Sequence, residues 1–256
     1  MKRSHAVFLK SCHFMHSVSS IVLVLAGGRG RRMARTRPKQ FVEVGGHPVL
    51  AYTLRAFAVH PGVDAVAVVC VDEWMDVVDG LGRDVCGSKY LGTFRGGRSS
   101  VLSARNGVEA LWRLGCPSEA VLLMHDGVRP LVPARLIGDC LKTCRTKGNA
   151  IAGLQSNEAF LVSADGCHAS SYLPREGLFR AQTPLAFSLG TFRRAFAAAG
   201  EERVLHAQSV FTLMAELGGW PLYIVQGDTR NFKITYPGDL ELFRALLADR
   251  QVLLAD

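Results

Sequence analysis

The amino-acid sequence predicts an α/β fold with a doubly wound, mostly parallel sheet, and three observations lead to this prediction. Short aliphatic runs recur along the 256 residues. Segments with helical spacing of apolar residues separate these runs, and such regular alternation is typical of parallel sheets. The chain is long enough for one large domain, and its 48% apolar residues can supply the core.

The predicted strands are short apolar runs, most of them rich in aliphatic residues. In chain order they cover residues 21–25, 63–71, 90–94, 120–124, 150–154 and 221–225. The predicted helices carry apolar residues three to four positions apart. They cover residues 48–60, 72–81, 99–114, 133–146, 189–199, 208–217 and 237–247.

The pattern changes between residues 157 and 173. Two short apolar runs, 160–162 and 170–173, flank a polar turn at 163–166, which predicts a β-hairpin inserted into the α/β series. A projecting hairpin needs something to cover its apolar side, and a partner subunit is the natural candidate. We therefore expect a dimerisation arm at about 157–173 and a homodimer.

The residues before the first predicted strand read as an extension rather than as a targeting signal. Lys2 and Arg3 imitate the start of a signal peptide, but Lys10 and His13 interrupt the apolar run. We interpret residues 1–20 as an N-terminal extension and residues 21–256 as a single domain. No run of about 18 uncharged apolar residues occurs, so we predict no membrane span.

The net charge of +8 favours anionic ligands. The basic residues are scattered, and no zinc-finger, RNP-type or helix-turn-helix pattern occurs, so phosphorylated small molecules fit better than nucleic acid. The seven cysteines include no C-x-x-C pair. This usage is typical of reduced thiols and predicts a cytoplasmic protein without a disulfide framework or a zinc site.

The first predicted strand runs directly into a turn rich in glycine and arginine. Small residues let a ligand approach the backbone and leave amide groups free to point at it. The small residues are Ala26, Gly27, Gly28 and Gly30, and the cations are Arg29, Arg31, Arg32, Arg35, Arg37 and Lys39. Coulomb attraction and backbone donors together predict a polyphosphate site. A solvated basic loop is the alternative interpretation.

Two familiar phosphate-binding loops do not fit this turn. Met33 stands where the third glycine of G-x-G-x-x-G belongs. No acidic residue closes a second strand about 20 residues further on, as ribose recognition by a dinucleotide fold requires. The chain also has no G-x-x-x-x-G-K-[ST], so a P-loop is excluded.

The fourth predicted strand runs into His125 and Asp126. Ligands of parallel sheets bind beyond the carboxyl ends of the strands, so this end and the glycine turn can converge on one cleft. A carboxylate at the end of a buried strand is costly unless it binds something. Mg²⁺ prefers one or two carboxylates together with substrate phosphates, which suggests a metal role for Asp126. A carboxylate that caps a helix is the alternative.

The glycine turn and the string Pro38-Lys39-Gln40-Phe41 resemble the signature of nucleotidyltransferases that activate sugar and polyol phosphates. The resemblance is strongest to the 2-C-methyl-D-erythritol 4-phosphate cytidylyltransferase family and runs from residue 21 to about residue 247. The strings 125–130, 174–184 and 230–235 also match. The resemblance implies a Rossmann-like fold, CTP and a polyol phosphate as substrates, Mg²⁺ as cofactor, and transfer of CMP with release of pyrophosphate.

The resemblance also implies a role for each residue that matches a family motif. The catalytic cations would be Arg32, Lys39, Arg175 and Lys233, of which the last two would position the acceptor phosphate. The nucleotide-binding residues would be Ala26, Gly27, Gly28, Arg29, Gly30, Gly97 and Ser103, of which the last two would read cytosine. The metal ligand would be Asp126, and the acceptor-binding residues would be Arg129 and Thr183. The arm would reach across a homodimer and help to build the neighbour's site.

Three strings depart from the family pattern, and they bear mostly on the acceptor. Asn157 and Glu158 replace Asp-Thr in the arm, and residues 208–211 and 99–102 are also altered. The expected acceptor is 2-C-methyl-D-erythritol 4-phosphate, with ribitol 5-phosphate as the alternative. A catalytically silent nucleotide-binding homologue is a third interpretation, against which stands the retention of the phosphate-handling residues.

Overall fold

The computed structural model describes residues 17–28, 38–217 and 221–249. Its strands, in chain order, are β1 (Ser20–Leu25), β2 (Glu43–Val44), β3 (His47–Pro48), β4 (Ala65–Cys70), β5 (Tyr90–Arg95), β6 (Val121–Asp126), β7 (Asn149–Gln155), β8 (Phe160–Val162), β9 (Ser171–Leu173), β10 (Phe179–Ser188) and β11 (Ile224–Gln226). Seven of them form one sheet in the order β11-β7-β10-β6-β1-β4-β5. β1 is parallel to both of its neighbours, β4 and β6, as the sequence predicts.

Helices cover both faces of this sheet. They are α1 (Val49–Ala58), α2 (Met75–Cys86), α3 (Ser100–Arg113), α4 (Ala134–Lys147), α5 (Leu189–His206), α6 (Val210–Leu217) and α7 (Pro237–Ala248). Side chains alternate along a strand, so Val22 and Val24 of β1 pack in the core with α1, α2 and α4. Ile21 and Leu23 pack in the opposite core with α3, α5 and α6. The predicted doubly wound class is confirmed.

One strand of the sheet escapes the sequence pattern. β10 lies between β6 and β7 and is antiparallel to both. Pro184 lies inside it, and the register against β7 shifts between Ala181 and Leu185. Because proline donates no ladder hydrogen bond, a proline within an apolar run argues against a strand. Here the pairing resumes on both sides of the proline.

Two helices differ from their predicted bounds. The predicted helix at 72–81 is a 3₁₀ turn, Asp72–Trp74, followed by α2, which continues to Cys86. The glycine at position 82 makes this continuation hard to predict from the sequence. A Cβ there would clash with the Tyr90 ring, so glycine allows α2 to pack against β5. α5 continues beyond its predicted end at residue 199, but Gly200 interrupts the helix with a φ of 71°.

The predicted hairpin is present as β8 and β9, which pair with each other and with no other described strand. Leu161 lies directly opposite Tyr172, and these side chains are 72% and 71% exposed. Phe160 lies opposite Leu173, on the other face of the hairpin. The arm therefore leaves one apolar face largely uncovered within a single chain. Its use as a dimer contact stays a prediction.

The carboxyl ends of β1, β4, β5 and β6 meet at one edge of the sheet, since these strands are parallel. A smaller apolar cluster closes that edge, with Val128 after β6 packed beside Ile234 and Phe243. The functional residues predicted after β1 and β6 are thereby brought to a common surface. Across the described ranges, no helix is both long and apolar enough to cross a membrane.

Candidate active site

A cleft of about 910 Å³ opens at the carboxyl ends of the parallel strands. Residues from six separate segments of the chain line it. They include Ala26, Gly27, Gly28, Lys39, Gln40, Gly96, Gly97, Ser100, Ser103, Asp126 and Lys233. Most of the site residues that the sequence predicts, and that the structure describes, therefore share one cavity. Predicted residues Arg29, Gly30 and Arg32 lie outside the described ranges.

Hydrogen bonds hold residues 26–28, where the glycine turn leaves β1. Ala26 N donates to Val69 O at 2.8 Å, which ties the turn to the end of β4. Gln40 Nε2 donates to Ala26 O at 2.7 Å and to Gly28 O at 2.9 Å. Lys39, beside Gln40, is only 8% exposed and lines the cleft. A lysine ammonium is thus held close to a turn whose shape is already set.

Asp126 is one of three acidic residues that line the cleft, with Asp72 and Glu73, and it is paired with two cations. Lys233 Nζ donates to Oδ1 at 3.1 Å, and Arg129 Nε donates to Oδ2 at 2.9 Å. Burial alone would raise the pKa of Asp126, but the charges of Lys233 and Arg129 outweigh burial and hold that pKa well below its usual range. The carboxylate is therefore ionised at neutral pH.

Arg129 lies beneath this carboxylate. An acceptor-binding role would require its side chain to face the cleft, which it does not. The residue is 9% exposed, and its Nη1 donates to Asn231 O at 2.8 Å. Ile234 N in turn donates to Val128 O at 2.9 Å. These bonds dock the segment around Lys233 against the β6 loop. Sequence reasoning found both cations but not this connection, which joins residues about 100 positions apart.

Behind the carboxylate, a buried histidine and a threonine form a chain of hydrogen bonds. Asp126 N donates to Thr183 Oγ1 at 3.1 Å, and Thr183 Oγ1 lies 3.0 Å from His125 Nδ1. His125 Nε2 lies 3.2 Å from Arg129 O. A carbonyl only accepts, so Nε2 carries the proton, Nδ1 accepts, and the threonine hydroxyl donates to it. In this tautomer, every polar atom of this hydrogen-bonded series has a partner.

Burial lowers the pKa of His125 to about 4, although the charge of Asp126 opposes the shift. The imidazole is therefore neutral at pH 7, as its tautomer requires. Thr183, which the sequence predicts to bind the acceptor, has its hydroxyl engaged by His125 and by the backbone of Asp126. In this structure it supports the carboxylate from behind.

One wall of the cleft is built at the start of α3. Gly97 N donates to Ser103 Oγ at 3.0 Å, and Ser103 Oγ donates to Ser99 O at 2.9 Å. Ser103 lines the cleft but is only 3% exposed, and its hydroxyl is engaged by the Gly97 loop and by Ser99 O. Ser99 caps the helix by accepting from Leu102 N at 3.1 Å. Ser100, exposed on the cleft wall, is the hydroxyl that sequence reasoning missed; the Ser-Ser pair before a helix was its only signal.

Among the predicted catalytic residues that the structure describes, Arg175 is the one that does not line the cleft of its own chain. It lies in the loop after β9, its side chain is 65% exposed, and its ion pair with Glu176 is loose at 3.9 Å. A second cavity, of about 500 Å³, lies at the base of the arm beside it. Glu158, Phe160 and Leu173 are among its lining residues.

Mg²⁺ needs oxygen ligands, and the cleft offers them mainly through Asp126. No group of three or more histidine, cysteine, aspartate or glutamate side chains among the described residues could hold a metal. Asp126 nevertheless faces the cleft, and a carboxylate offers about four lone-pair positions, of which the two cations occupy two. One carboxylate with substrate phosphates and water satisfies Mg²⁺, so the residues fit that ion.

An open, mostly parallel sheet and a cleft of this charge pattern define the class of the protein. They suit an α/β nucleotidyltransferase, because the ligands of such sheets bind beyond the carboxyl ends of the strands, where this cleft combines cations, carboxylates and the glycine turn. The profile of the family IspD, 2-C-methyl-D-erythritol 4-phosphate cytidylyltransferase, matches residues 20–249, and the chain belongs to that family.

Named relatives agree on the reaction and differ on the acceptor. The chain is 39% identical to the 2-C-methyl-D-erythritol 4-phosphate cytidylyltransferase of Rubrobacter xylanophilus, over 91% of this chain and 96% of the relative. It is 34% identical to the ribitol-5-phosphate cytidylyltransferase of Lacticaseibacillus paracasei, over 90% and 98%. The solved 2-C-methyl-D-erythritol 4-phosphate cytidylyltransferase of Thermus thermophilus superposes with a TM-score of 0.70 at 30% identity, covering 89% of this chain and 98% of that one. This protein is therefore a cytidylyltransferase.

Proposed function

We propose that this chain transfers CMP from CTP to 2-C-methyl-D-erythritol 4-phosphate. The observation that carries the proposal is the meeting of Lys39, Asp126 and Lys233 in one cleft beside the glycine turn. A phosphate site with this charge pattern suits two anionic substrates that must approach each other. The family profile and the relative from Rubrobacter xylanophilus support this acceptor.

In the proposed reaction an oxygen of the acceptor phosphate attacks the α-phosphorus of CTP. One phosphorus–oxygen bond forms, the bond from the α-phosphorus to the bridging oxygen breaks, and pyrophosphate leaves with the electron pair. Negative charge gathers on the α-phosphoryl oxygens in the transition state, so fixed cations accelerate the step without covalent catalysis. Lys39 and Arg32 are proposed for this neutralisation.

The remaining roles follow from position and charge. Lys233 is proposed to hold the acceptor phosphate at the cleft, together with an arginine that orients it. Asp126 would hold Mg²⁺, which supplies further neutralisation of the triphosphate when bound. The amides of the glycine turn would bind the phosphates of CTP, and the Gly97 loop would read cytosine.

Arg175 is proposed to act in the cleft of a second copy. Its exposure on the arm and its absence from the lining of its own cleft support this role. The uncovered faces of Leu161 and Tyr172 support a homodimer through the same arm. A reducing, cytoplasmic location is also proposed, since the cysteines within the described ranges are all free thiols.

Ribitol 5-phosphate is the second candidate acceptor. The relative from Lacticaseibacillus paracasei, matched over 98% of its length, supports it. The change to Asn157 and Glu158 in the arm bears on the same question, because both residues line the cavity at the base of the arm. Acceptor choice is where the two candidate functions differ.

A panel of acceptors tests the proposal. Purified protein with Mg²⁺ and CTP is supplied with each of the two polyol phosphates, and pyrophosphate release is measured. We expect turnover with 2-C-methyl-D-erythritol 4-phosphate to exceed turnover with ribitol 5-phosphate. Turnover of ribitol 5-phosphate alone would overturn the choice of acceptor, and no release with either would favour a silent homologue.

A further inference from the structure

Gln40 is a residue of the cleft wall for which the proposed reaction has no use. Its side chain is 1% exposed, and Nε2 donates to Ala26 O at 2.7 Å and to Gly28 O at 2.9 Å. Its Oε1 is buried and has no hydrogen-bond partner among the described residues. The amide therefore binds the glycine turn through its two donor hydrogens alone.

The orientation of this amide follows from charge. A flipped amide would set its oxygen against two carbonyl oxygens, so only the present orientation is attractive. A buried acceptor without a partner is unfavourable, and an apolar side chain would avoid that cost. The glutamine at position 40 is therefore explained by its donors.

Gln40 also stands on a rigid base. Phe41, its neighbour, is 1% exposed and stacks on Trp74 with ring centroids 4.3 Å apart. Phe41 N donates to Pro38 O at 2.9 Å and closes the 3₁₀ turn that carries Gln40. The side chain thus joins a packed turn to residues 26–28 of the glycine turn.

This link matters for an anionic ligand. Peptide carbonyls carry partial negative charge and repel a triphosphate, whereas amide N–H groups attract it. Gln40 binds the carbonyls of Ala26 and Gly28, so neither oxygen is left to oppose the anion. Residues 26–28 are also held before the nucleotide binds, which lowers the entropy cost of binding.

We propose that Gln40 is a positioning residue that holds the glycine turn in its phosphate-binding form. The inference rests on the proposed function, because it needs the triphosphate of CTP at this turn. Gln40 acts through Ala26 and Gly28 and not by touching the nucleotide. Its effect should therefore grow with the number of phosphates on the ligand.

Gln40→Met tests this inference, because methionine has similar length and volume but no donor. Calorimetry with Mg²⁺ measures the affinities of wild type and variant for CTP and for CMP. We expect the dissociation constant for CTP to rise about tenfold, because the freed carbonyls of Ala26 and Gly28 would then repel the triphosphate, with a much smaller change for CMP. Gln40→Leu, which is also apolar and lacks a donor, should lose about as much and replaces Gln40→Met if that variant does not fold.

Asn149→Leu provides the matched control. Asn149 is also a buried amide that holds a loop, with Nδ2 donating to Pro221 O at 3.0 Å and Oδ1 accepting from Tyr223 N at 3.0 Å. It lies at the amino end of β7, away from the cleft, so its loss should destabilise the fold and leave the CTP-to-CMP ratio unchanged. Equal losses for CTP and CMP in Gln40→Met, or none, would overturn the inference alone. A wild-type protein that binds no CTP would overturn the proposed function as well.

Discussion

The two cations on Asp126 differ in exposure, and this difference decides what each contributes. The side chain of Arg129 is 10% exposed, whereas that of Lys233 is 40% exposed. A buried charge without a partner is strongly unfavourable, whereas an exposed charge regains water. The Arg129 pair should therefore support the fold, and the Lys233 pair should be available to a substrate.

Substitution of either end of this network separates the two contributions. Asp126→Asn removes the charge that balances buried Arg129 and should lower the free energy of unfolding by about 3 kcal/mol. Lys233→Met leaves the Asp126–Arg129 pair intact and should cost at most about 1 kcal/mol. Urea unfolding at pH 7 measures both values. Equal costs would contradict the division of the network into a structural and a substrate-facing pair.

Acid should destabilise the protein through His125. The folded-state pKa is about 4 and the ordinary value is 6.5, so the unfolded chain binds the proton first as pH falls. Stability is therefore lost between pH 6.5 and pH 4, by about 3 kcal/mol from this group. Urea unfolding at several pH values measures this loss.

His125→Asn is the control for that measurement. The variant should be less stable at pH 7 but should lose less stability between pH 6.5 and pH 4, because asparagine does not titrate. Parallel pH profiles for wild type and variant would rule out a neutral buried His125 as the source of the loss. Asp126 adds little to this loss of stability, since its own contribution to the free energy of unfolding is lost mainly below its ordinary pKa of 3.8.

The residues of the site differ in how well their surroundings can be predicted from the sequence. Lys39, Asp126 and Lys233 follow motifs, and the parallel strand ends bring two of those motifs together, so their convergence is predictable. Arg129 and Ser103 are different. Their side chains point at Asn231 O and the Gly97 loop, and no local pattern says whether a polar group faces a ligand or supports a neighbouring loop.

At the scale of elements, apolar strands buried on both faces are the best predicted, because a continuous aliphatic run has few other uses. β10 could not be predicted, since Pro184 breaks its pattern and its partners β6 and β7 lie far along the chain. The arm was recognisable because a polar turn separates two apolar runs. What covers the arm cannot be read from one chain's pattern.

The arm prediction can be tested by charge. The side chain of Leu161 is 72% exposed in the single chain, and Leu161→Glu places a carboxylate there. Because burial of an unpaired charge is strongly unfavourable, this substitution would prevent two arms from pairing. Light scattering after gel filtration should find a dimer for wild type and a monomer for this variant. Val59→Glu is the control, because Val59 is similarly exposed at 68% but lies at the end of α1. A monomeric wild type would contradict the dimer, and a dimeric Leu161→Glu would exclude this face of the arm as its interface.

At the scale of the whole molecule, the sheet brings residues that are far apart in the sequence close together in space. The glycine turn follows β1, Asp126 ends β6, and Lys233 comes more than 100 residues later, yet all three line one cleft. The second half of the chain contributes its lysine only because the segment 231–234 docks on the β6 loop. The whole-chain fold is thus what gives these charges a common target.

The central claim is that cations of this cleft act on the transition state of CMP transfer. Lys39→Ala tests it most directly, with turnover measured by pyrophosphate release and CTP affinity by calorimetry. Loss of a group that acts only in the transition state should lower kcat by about 10²- to 10³-fold and change the CTP dissociation constant by less than about threefold. An equal loss of turnover and CTP affinity, or no loss of turnover, would contradict the account.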